Sequence, residues 1–363
     1  MEISHQLITL QDVEQLKVHW QDLEGRSTNS IFLSWQWIES WLKIVNEPLF
    51  LVQAKKGSLI VGLGLFVEKK RYVLGFIPYK QWWLHKTGCQ KQDQIWVEYN
   101  DFLLDDNYQI TTRQKILEYL FTEKELTQEV VFGLTKSDVF DSFAHQLKAM
   151  NASSRILVES KGHLIEYDKV TTEEFSDLWS KNTHYQINRS KKILAQQGEI
   201  SFRIVTDKQE TSVLIVNIAD LHKKRWNDSK EGSGFSNTVF KLFHESMIEN
   251  NDEVLQISVL ALNNKDIGFL MNYVYKNKVY FYLSAFSDEF SSKVKLGMLL
   301  HSEAIKHYRT KGTTHYDFLA GDAQYKRSLA NEEYSMAINC YAPNDIIFKC
   351  ENFLRKLKHS LFK

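Results

Sequence analysis

Cysteine and proline are scarce, with three of each in 363 residues. Cys89, Cys340 and Cys350 are odd in number, lie far apart and form no C-x-x-C, which excludes a disulfide framework and a cysteine zinc site. Three prolines and 15 glycines exclude a collagenous or low-complexity chain. Net charge is absent too: 45 Lys and Arg face 45 Asp and Glu, so no global basic field recruits nucleic acid, and no DNA partner is expected. The longest apolar run, Leu59 to Val67, falls far short of the ~20 residues that span a bilayer. The N-terminal segment MEISHQLITLQDVEQL lacks the basic-then-apolar pattern of a signal peptide, so a cytoplasmic location is expected. What remains, 43% apolar and 25% charged, is an ordinary globular composition.

The pattern along the chain alternates helix and strand. Helices are expected at Leu10–Leu23, Trp35–Val45 and Thr111–Phe121, and strands at Leu49–Ala54, Leu59–Val67 and Glu129–Phe132, with further β signals around Tyr72–Ile77 and Gln94–Leu104. Asn151–Gly162 is polar and reads as a domain boundary. Beyond it the pattern gives helices at Glu173–Trp179, Thr211–Trp226, Ser236–Glu249 and Gly297–Thr310. It also gives strands at Ile200–Val205, Leu255–Leu262, Asp266–Tyr275, Val279–Phe286, His315–Ala320 and Ser335–Tyr341. A strand–turn–strand with an early glycine in its second strand occurs at Phe50–Leu65 and again at Leu255–Tyr273, which points to two copies of one α/β unit.

The strong chemical signatures are missing. There is no P-loop, no G-x-G-x-x-G after a strand, and no G-x-S-x-G elbow. His244-Glu245 starts a zinc motif, but Ile248 holds the place of its second histidine, and no metal site is expected. The informative stretch is Tyr280–Ala330. A strand runs into a loop carrying Lys293, Lys295 and Gly297, and a helix starts there at once. Unpaired first-turn N–H groups, the positive end of the helix dipole and a glycine that admits close approach make an anion site at residues 293–298, the alternative being a solvated lysine loop.

Strand, glycine loop, helix and strand resemble the cofactor core of the GNAT acyltransferases. Val294-Lys295-Leu296-Gly297-Met298-Leu299-Leu300 and Tyr316-Asp317-Phe318-Leu319-Ala320-Gly321-Asp322-Ala323-Gln324-Tyr325-Lys326 are similar to the S-P-G-x-L-L and Y-D-F-x-x-G-x-x-x-Y-K motifs of the CelD/BcsL-like branch, with Leu296 in place of its proline. FLSWQWIESW at 32–41 and LHKKRW at 221–226 also resemble that branch, which is related to the Fem-type peptidyltransferases. The resemblance implies tandem GNAT-like units, each a mixed sheet flanked by helices: residues 1–155 without a cofactor, 156–345 as the acyltransferase domain, and a basic amphipathic helix at 346–363. It implies acyl transfer from acetyl-CoA or another acyl-CoA to a small-molecule or saccharide acceptor, an amino sugar or cell-envelope precursor.

On that reading Lys293, Lys295, Leu296, Gly297 and Met298 bind the cofactor. Tyr325 protonates the leaving thiolate, Asp322 orients or deprotonates the acceptor, and His222, Arg225, Trp226 and Lys326 contact the acceptor. A structural role is the competing expectation for each, and for Asp317. Two other functions stay open: a Fem-like transfer from aminoacyl-tRNA, and an inactive accessory protein of envelope assembly. The last segment carries Lys349, Arg355, Lys356, Lys358 and Lys363 against Glu351, with its apolar residues on one face. It either makes peripheral contact with an anionic membrane or docks on the protein body.

Overall fold

The computed structural model describes the chain except residues 74, 123–126, 142–146, 149, 173, 174, 176, 227, 230, 231, 251, 252, 362 and 363, and except the side chains of 140, 141, 356 and 358–361. The helix expected at Glu173–Trp179 lies in part outside the described residues. Two compact units form: residues 1–159 with 335–363, and residues 160–334.

The first unit opens with strand β1 (Glu2–Ile8), helix α1 (Val13–Glu24) and helix α2 (Trp35–Leu42). Strands β2 (Leu49–Lys56), β3 (Leu59–Val73) and β4 (Ile77–Leu84) follow as an antiparallel meander. The β2–β3 turn holds Gly57 at φ +63°, a conformation open to glycine at no steric cost. After the short β5 (Leu103–Leu104) and helix α3 (Gln109–Thr122), strand β6 (Glu129–Lys136) pairs parallel to β4, as a helical crossover allows. The brief helix α4 (Ser137–Asp141) leads on to β7 (Ala152–Glu166), which reaches into the second unit. The first sheet has the order β1-β2-β3-β4-β6-β13, where β13 (Glu332–Pro343) comes from the far end of the chain and is followed by α10 (Ile346–Leu361). Trp82, Phe66, Phe102, Leu117, Phe132 and Tyr341 fill its core.

The second unit repeats the plan. Its elements are α5 (Lys181–Ala195), β8 (Ile200–Val205), α6 (Lys208–Trp226), α7 (Thr238–Glu249), β9 (Leu255–Leu262), β10 (Lys265–Tyr275), β11 (Lys278–Phe286), α8 (Leu296–Thr310), β12 (His315–Ala320) and α9 (Gln324–Leu329). The sheet order β8-β9-β10-β11-β12-β7 matches the first strand for strand, and β12 again lies parallel to β11 after a crossover helix. The segments Phe50–Leu65 and Leu255–Tyr273 therefore occupy equivalent strands, so the two halves are tandem mixed α/β units. Two-residue turns join β9 to β10 (Asn263-Asn264, φ +51° and +63°) and β10 to β11 (Lys276-Asn277, φ +46° and +59°), the left-handed pair whose twist suits a hairpin. Helix α8 buries Leu296, Leu299, Leu300, Ala304 and Ile305 against Phe281, Tyr316 and Phe318, and stops at Gly312 with φ +76°.

Several expectations from sequence change. The boundary expected at Asn151–Gly162 falls at Glu159/Ser160, but it lies inside the long strand β7 rather than in a loop, because ASSRILVESKGHLIE alternates in a way that suits a pleated strand. Residues 335–345 belong with the first unit, as does the helix after them. Gln94–Leu104 forms only the two-residue β5, since Trp96 and Tyr99 adopt φ of +44° and +51°, which no strand accommodates. Trp35, Trp37 and Trp41 are buried in the first unit, in keeping with the core role that an aromatic helix face ordinarily has. Among the described residues no helix is long and apolar enough to cross a membrane, and no group of His, Cys, Asp and Glu is placed to hold a metal.

Candidate active site

In each unit two parallel strands pair over only three residues. Strands β11 and β12 pair only over Lys278–Tyr280 with His315–Asp317. Strands β4 and β6 pair over Gln81–Trp83 with Glu129–Val131. Their later courses differ. In the first unit Asn100 bridges the gap: its side chain donates to the Leu84 carbonyl (2.9 Å) and accepts from the Gly133 N–H (2.8 Å). In the second unit a bulge at Phe318–Leu319 turns the end of β12, with Leu319 at φ +59°. The buried Asp317 carboxylate holds that bulge by accepting from the Leu319 N–H (2.8 Å) and the Tyr334 hydroxyl (2.7 Å), so its role is structural.

Helix α8 begins beside the end of β11. No side chain caps its start at Lys295, whose own N–H donates to the buried Ser190 hydroxyl (2.8 Å) on α5. Glycine at 297 matters sterically, because a Cβ there would stand 3.3 Å from the Phe286 ring. Lys293 and Lys295 are exposed and make no ion pair with the described residues, whereas the loop's acids are neutralised: Asp288 lies 3.8 Å from Lys224 and Glu289 lies 2.8 Å from Lys265. The loop thus presents two uncompensated cations and a free helix N-terminus together, a setting for an anionic group. Leu296 is the exception among the five candidates. Its side chain lies in the core, leaving only its backbone N–H for a ligand. The residues present fit the pyrophosphate of a CoA-type cofactor.

The candidates for chemistry divide into two sets. Tyr325 on α9 stacks on His301 of α8 (centroids 5.4 Å apart) and meets Phe318 edge-on (6.3 Å). Burial pushes its hydroxyl well above the ordinary phenol range, so it stays protonated, while the positive charge of Arg225 opposes that rise. Arg225 itself lies over the rings of Trp226 (5.2 Å) and Phe286 (6.0 Å). Its neighbour His222 is buried, with Nδ1 2.8 Å from the Ser233 hydroxyl. Burial first, and then Arg225, lower its pKa to about 4, which keeps the imidazole neutral near pH 7. The structure therefore places His222, Arg225, Trp226, Phe286, Gly297 and Tyr325 around one region of the second unit.

Two expected site residues stand elsewhere. The exposed Asp322 carboxylate accepts from Arg327, and its other side-chain contact among the described residues is His163 Nε2 at 3.2 Å. The arginine occupies this carboxylate and holds it below the usual range. Lys326 is buried, and its ammonium donates to the carbonyls of Ala320 (2.6 Å) and Leu319 (3.4 Å), fixing the bulged end of β12. We expect Lys326→Met to cost the second unit about 1–3 kcal/mol, from the carbonyls left unpaired. A lowered denaturation midpoint with an unchanged acceptor KM would bear this out. Sequence reasoning missed Phe286 and Ser233. The signal for Phe286 was its place at the end of a strand feeding the glycine loop, but Ser233 carried none.

Residues 181–327 match the family model described as an acetyltransferase (GNAT) domain. That stretch, which lies within the second unit, is similar to a GNAT acetyltransferase domain. No curated protein sequence matches the chain. Among solved structures it is similar to FemX (TM-score 0.61, 12% identity, 96% of this chain and 99% of that one). It is also similar to the C-terminal DUF2156 domain of an assigned lysylphosphatidylglycerol synthetase from Agrobacterium fabrum (0.56, 9%, 95% and 96%), and to L-PGS from Bacillus licheniformis (0.55, 10%, 95% and 96%). At these identities the likeness concerns the fold, which extends over both units. The match supports an acyltransferase. Nothing in these comparisons singles out the CelD/BcsL-like branch.

Proposed function

We propose that the second unit transfers an acyl group from acyl-CoA to an amine or hydroxyl, with an amino sugar or cell-envelope precursor as acceptor. The observation that carries this reading is the free start of α8 at Gly297 beside the unpaired Lys293 and Lys295. The first unit, whose equivalent gap Asn100 bridges, takes no cofactor on this reading. Acyl-CoA supplies the activated acyl carbon. Lys293, Lys295 and the N–H groups of Leu296, Gly297 and Met298 bind its pyrophosphate. His222, neutral and oriented through Nδ1 by Ser233, accepts the acceptor's proton at Nε2. This replaces Asp322 in the base role. Tyr325 donates its hydroxyl proton to the departing sulfur, and Arg225 eases the charge left on the phenolate.

A second donor, aminoacyl-tRNA, is favoured by one observation: Lys192 and Lys191, the latter paired with Glu303, are exposed on α5 next to Ser190, which is bonded to Lys295, so basic side chains continue past the loop. A thermal-shift titration with acetyl-CoA, longer acyl-CoAs and free CoA decides between the two. A ligand at a hundredfold excess over Kd adds ~2.7 kcal/mol to stability, which such a titration resolves. Gly297→Asp puts a carboxylate at the helix start and is expected to weaken CoA binding at least about tenfold, since charge of the wrong sign there costs on the order of 1–2 kcal/mol. Gly297→Ala, which adds only the Cβ, is the steric control. Equal loss in both variants would refute the anion site, and salt-sensitive tRNA binding without a CoA shift would transfer the reading to the second donor.

A further inference from the structure

Helix α10 offers two faces of opposite character. One is anchored in the first unit. Phe348 is buried with Val131, Cys340 and Ala342, and the Glu351 carboxylate accepts from Arg71 (2.7 and 2.9 Å) and Arg155 (2.9 Å). The other carries Ile346, Phe353, Leu354 and Leu357, exposed by 76%, 62%, 48% and 43%, together with the exposed Cys350. Positions 346, 350, 353, 354 and 357 recur at helical spacing, so these side chains make one apolar stripe ~17 Å long. Burial in water's place is what such a stripe lacks, and exposed stripes of this kind mark an interaction site.

Charge decides the partner. Residues 346–363 contain five basic side chains, Lys349, Arg355, Lys356, Lys358 and Lys363, and a single acid. That acid, Glu351, is spent on Arg71 and Arg155 inside the unit and on Arg355 of the helix itself, so the segment keeps a net positive charge by sequence, with Lys349 exposed. A second copy of the helix would bring like charges together along the stripe. An anionic bilayer surface instead takes the apolar stripe to the depth of its acyl boundary and pairs its phosphates with the lysines. We propose that α10 docks this protein on anionic lipid bilayers, with Ile346, Phe353, Leu354 and Leu357 inserted and the basic residues at headgroup level. This inference does not rest on the acyl-donor reading.

The test is sedimentation of the whole protein with phosphatidylcholine vesicles containing phosphatidylglycerol, and with phosphatidylcholine alone. We expect clear binding to the first, at least about tenfold weaker binding to the second, and loss of affinity as salt rises. Phe353→Ser removes a buried-on-binding ring and should reduce partitioning about tenfold or more. Lys349→Glu should reduce it at least about fivefold, the weight of one surface charge at such a membrane. Both positions are exposed, so an unchanged unfolding midpoint certifies the fold of each variant. Any of three results overturns the proposal: no binding to anionic vesicles, equal binding by Phe353→Ser, or a dimer by light scattering that Phe353→Ser converts to monomer.

Discussion

Denaturation at about pH 5.5 is expected to show roughly 5 kcal/mol less stability than at about pH 7.5, through four buried histidines. His85, His244 and His301 have pKa values lowered by burial to about 3, and His222 to about 4. At pH 7.5 all four are neutral in both the folded and the unfolded chain, so they add no pH dependence. Below the unfolded value of ~6.5 the unfolded chain gains protons that the folded one refuses, and stability falls by ~1.4 kcal/mol per histidine per pH unit. The loss continues until the folded groups themselves titrate near 4 and 3. Carboxylates such as Glu351, held near pKa 2 by Arg71 and Arg155 against the opposing cost of burial, add their own acid loss only below ~4.5. Three of the four histidines lie in the second unit, which should therefore melt first as pH falls. His85→Asn keeps a residue that tolerates φ +48° and removes one titration, so it should delete about a quarter of the difference between the two pH values. Midpoints that coincide at both pH values would refute the account.

Tyr325→Phe is expected to lower kcat by about 10²–10⁴-fold, the span of a lost general acid, with little change in KM for acyl-CoA. The ring contacts with His301 and Phe318 survive in phenylalanine, so the unfolding midpoint should hold. The pH profile gives a separate readout. Because burial raises the Tyr325 hydroxyl above its ordinary value, the wild-type rate should show no decline from its ionisation up to ~10. A steady-state assay with any productive acceptor suffices, and a rate within about threefold of wild type would take Tyr325 out of the reaction.

Much of the fold was legible because each unit is built from local signals. The hairpins around Gly57 and Asn263-Asn264, and the helix ending at Gly312, announce themselves through residues that accept positive φ. The repeat followed from the same spacing. Strand β7 was not legible, since its serine, arginine and glutamate read as polar whether the strand is paired or not. The site divided along a similar line. Gly297 and Tyr325 could be picked out by their neighbours in sequence, but the fate of a charge depends on what meets it in space. Asp322 looked free until Arg327, five residues on, claimed it, and Lys326 looked like a substrate contact until it was found on the carbonyls of residues 319 and 320. Asn100, which closes the first unit's gap, lies in a stretch with no regular structure to reveal it.

The first unit takes its last strand and helix from residues that follow the whole of the second. On the ribosome the catalytic unit can therefore finish folding while its older neighbour still waits for β13, holding a sheet edge open at β6 until residue 335 and those after it emerge. A chain interrupted in that interval would carry an intact transferase domain attached to a partner that cannot complete its sheet.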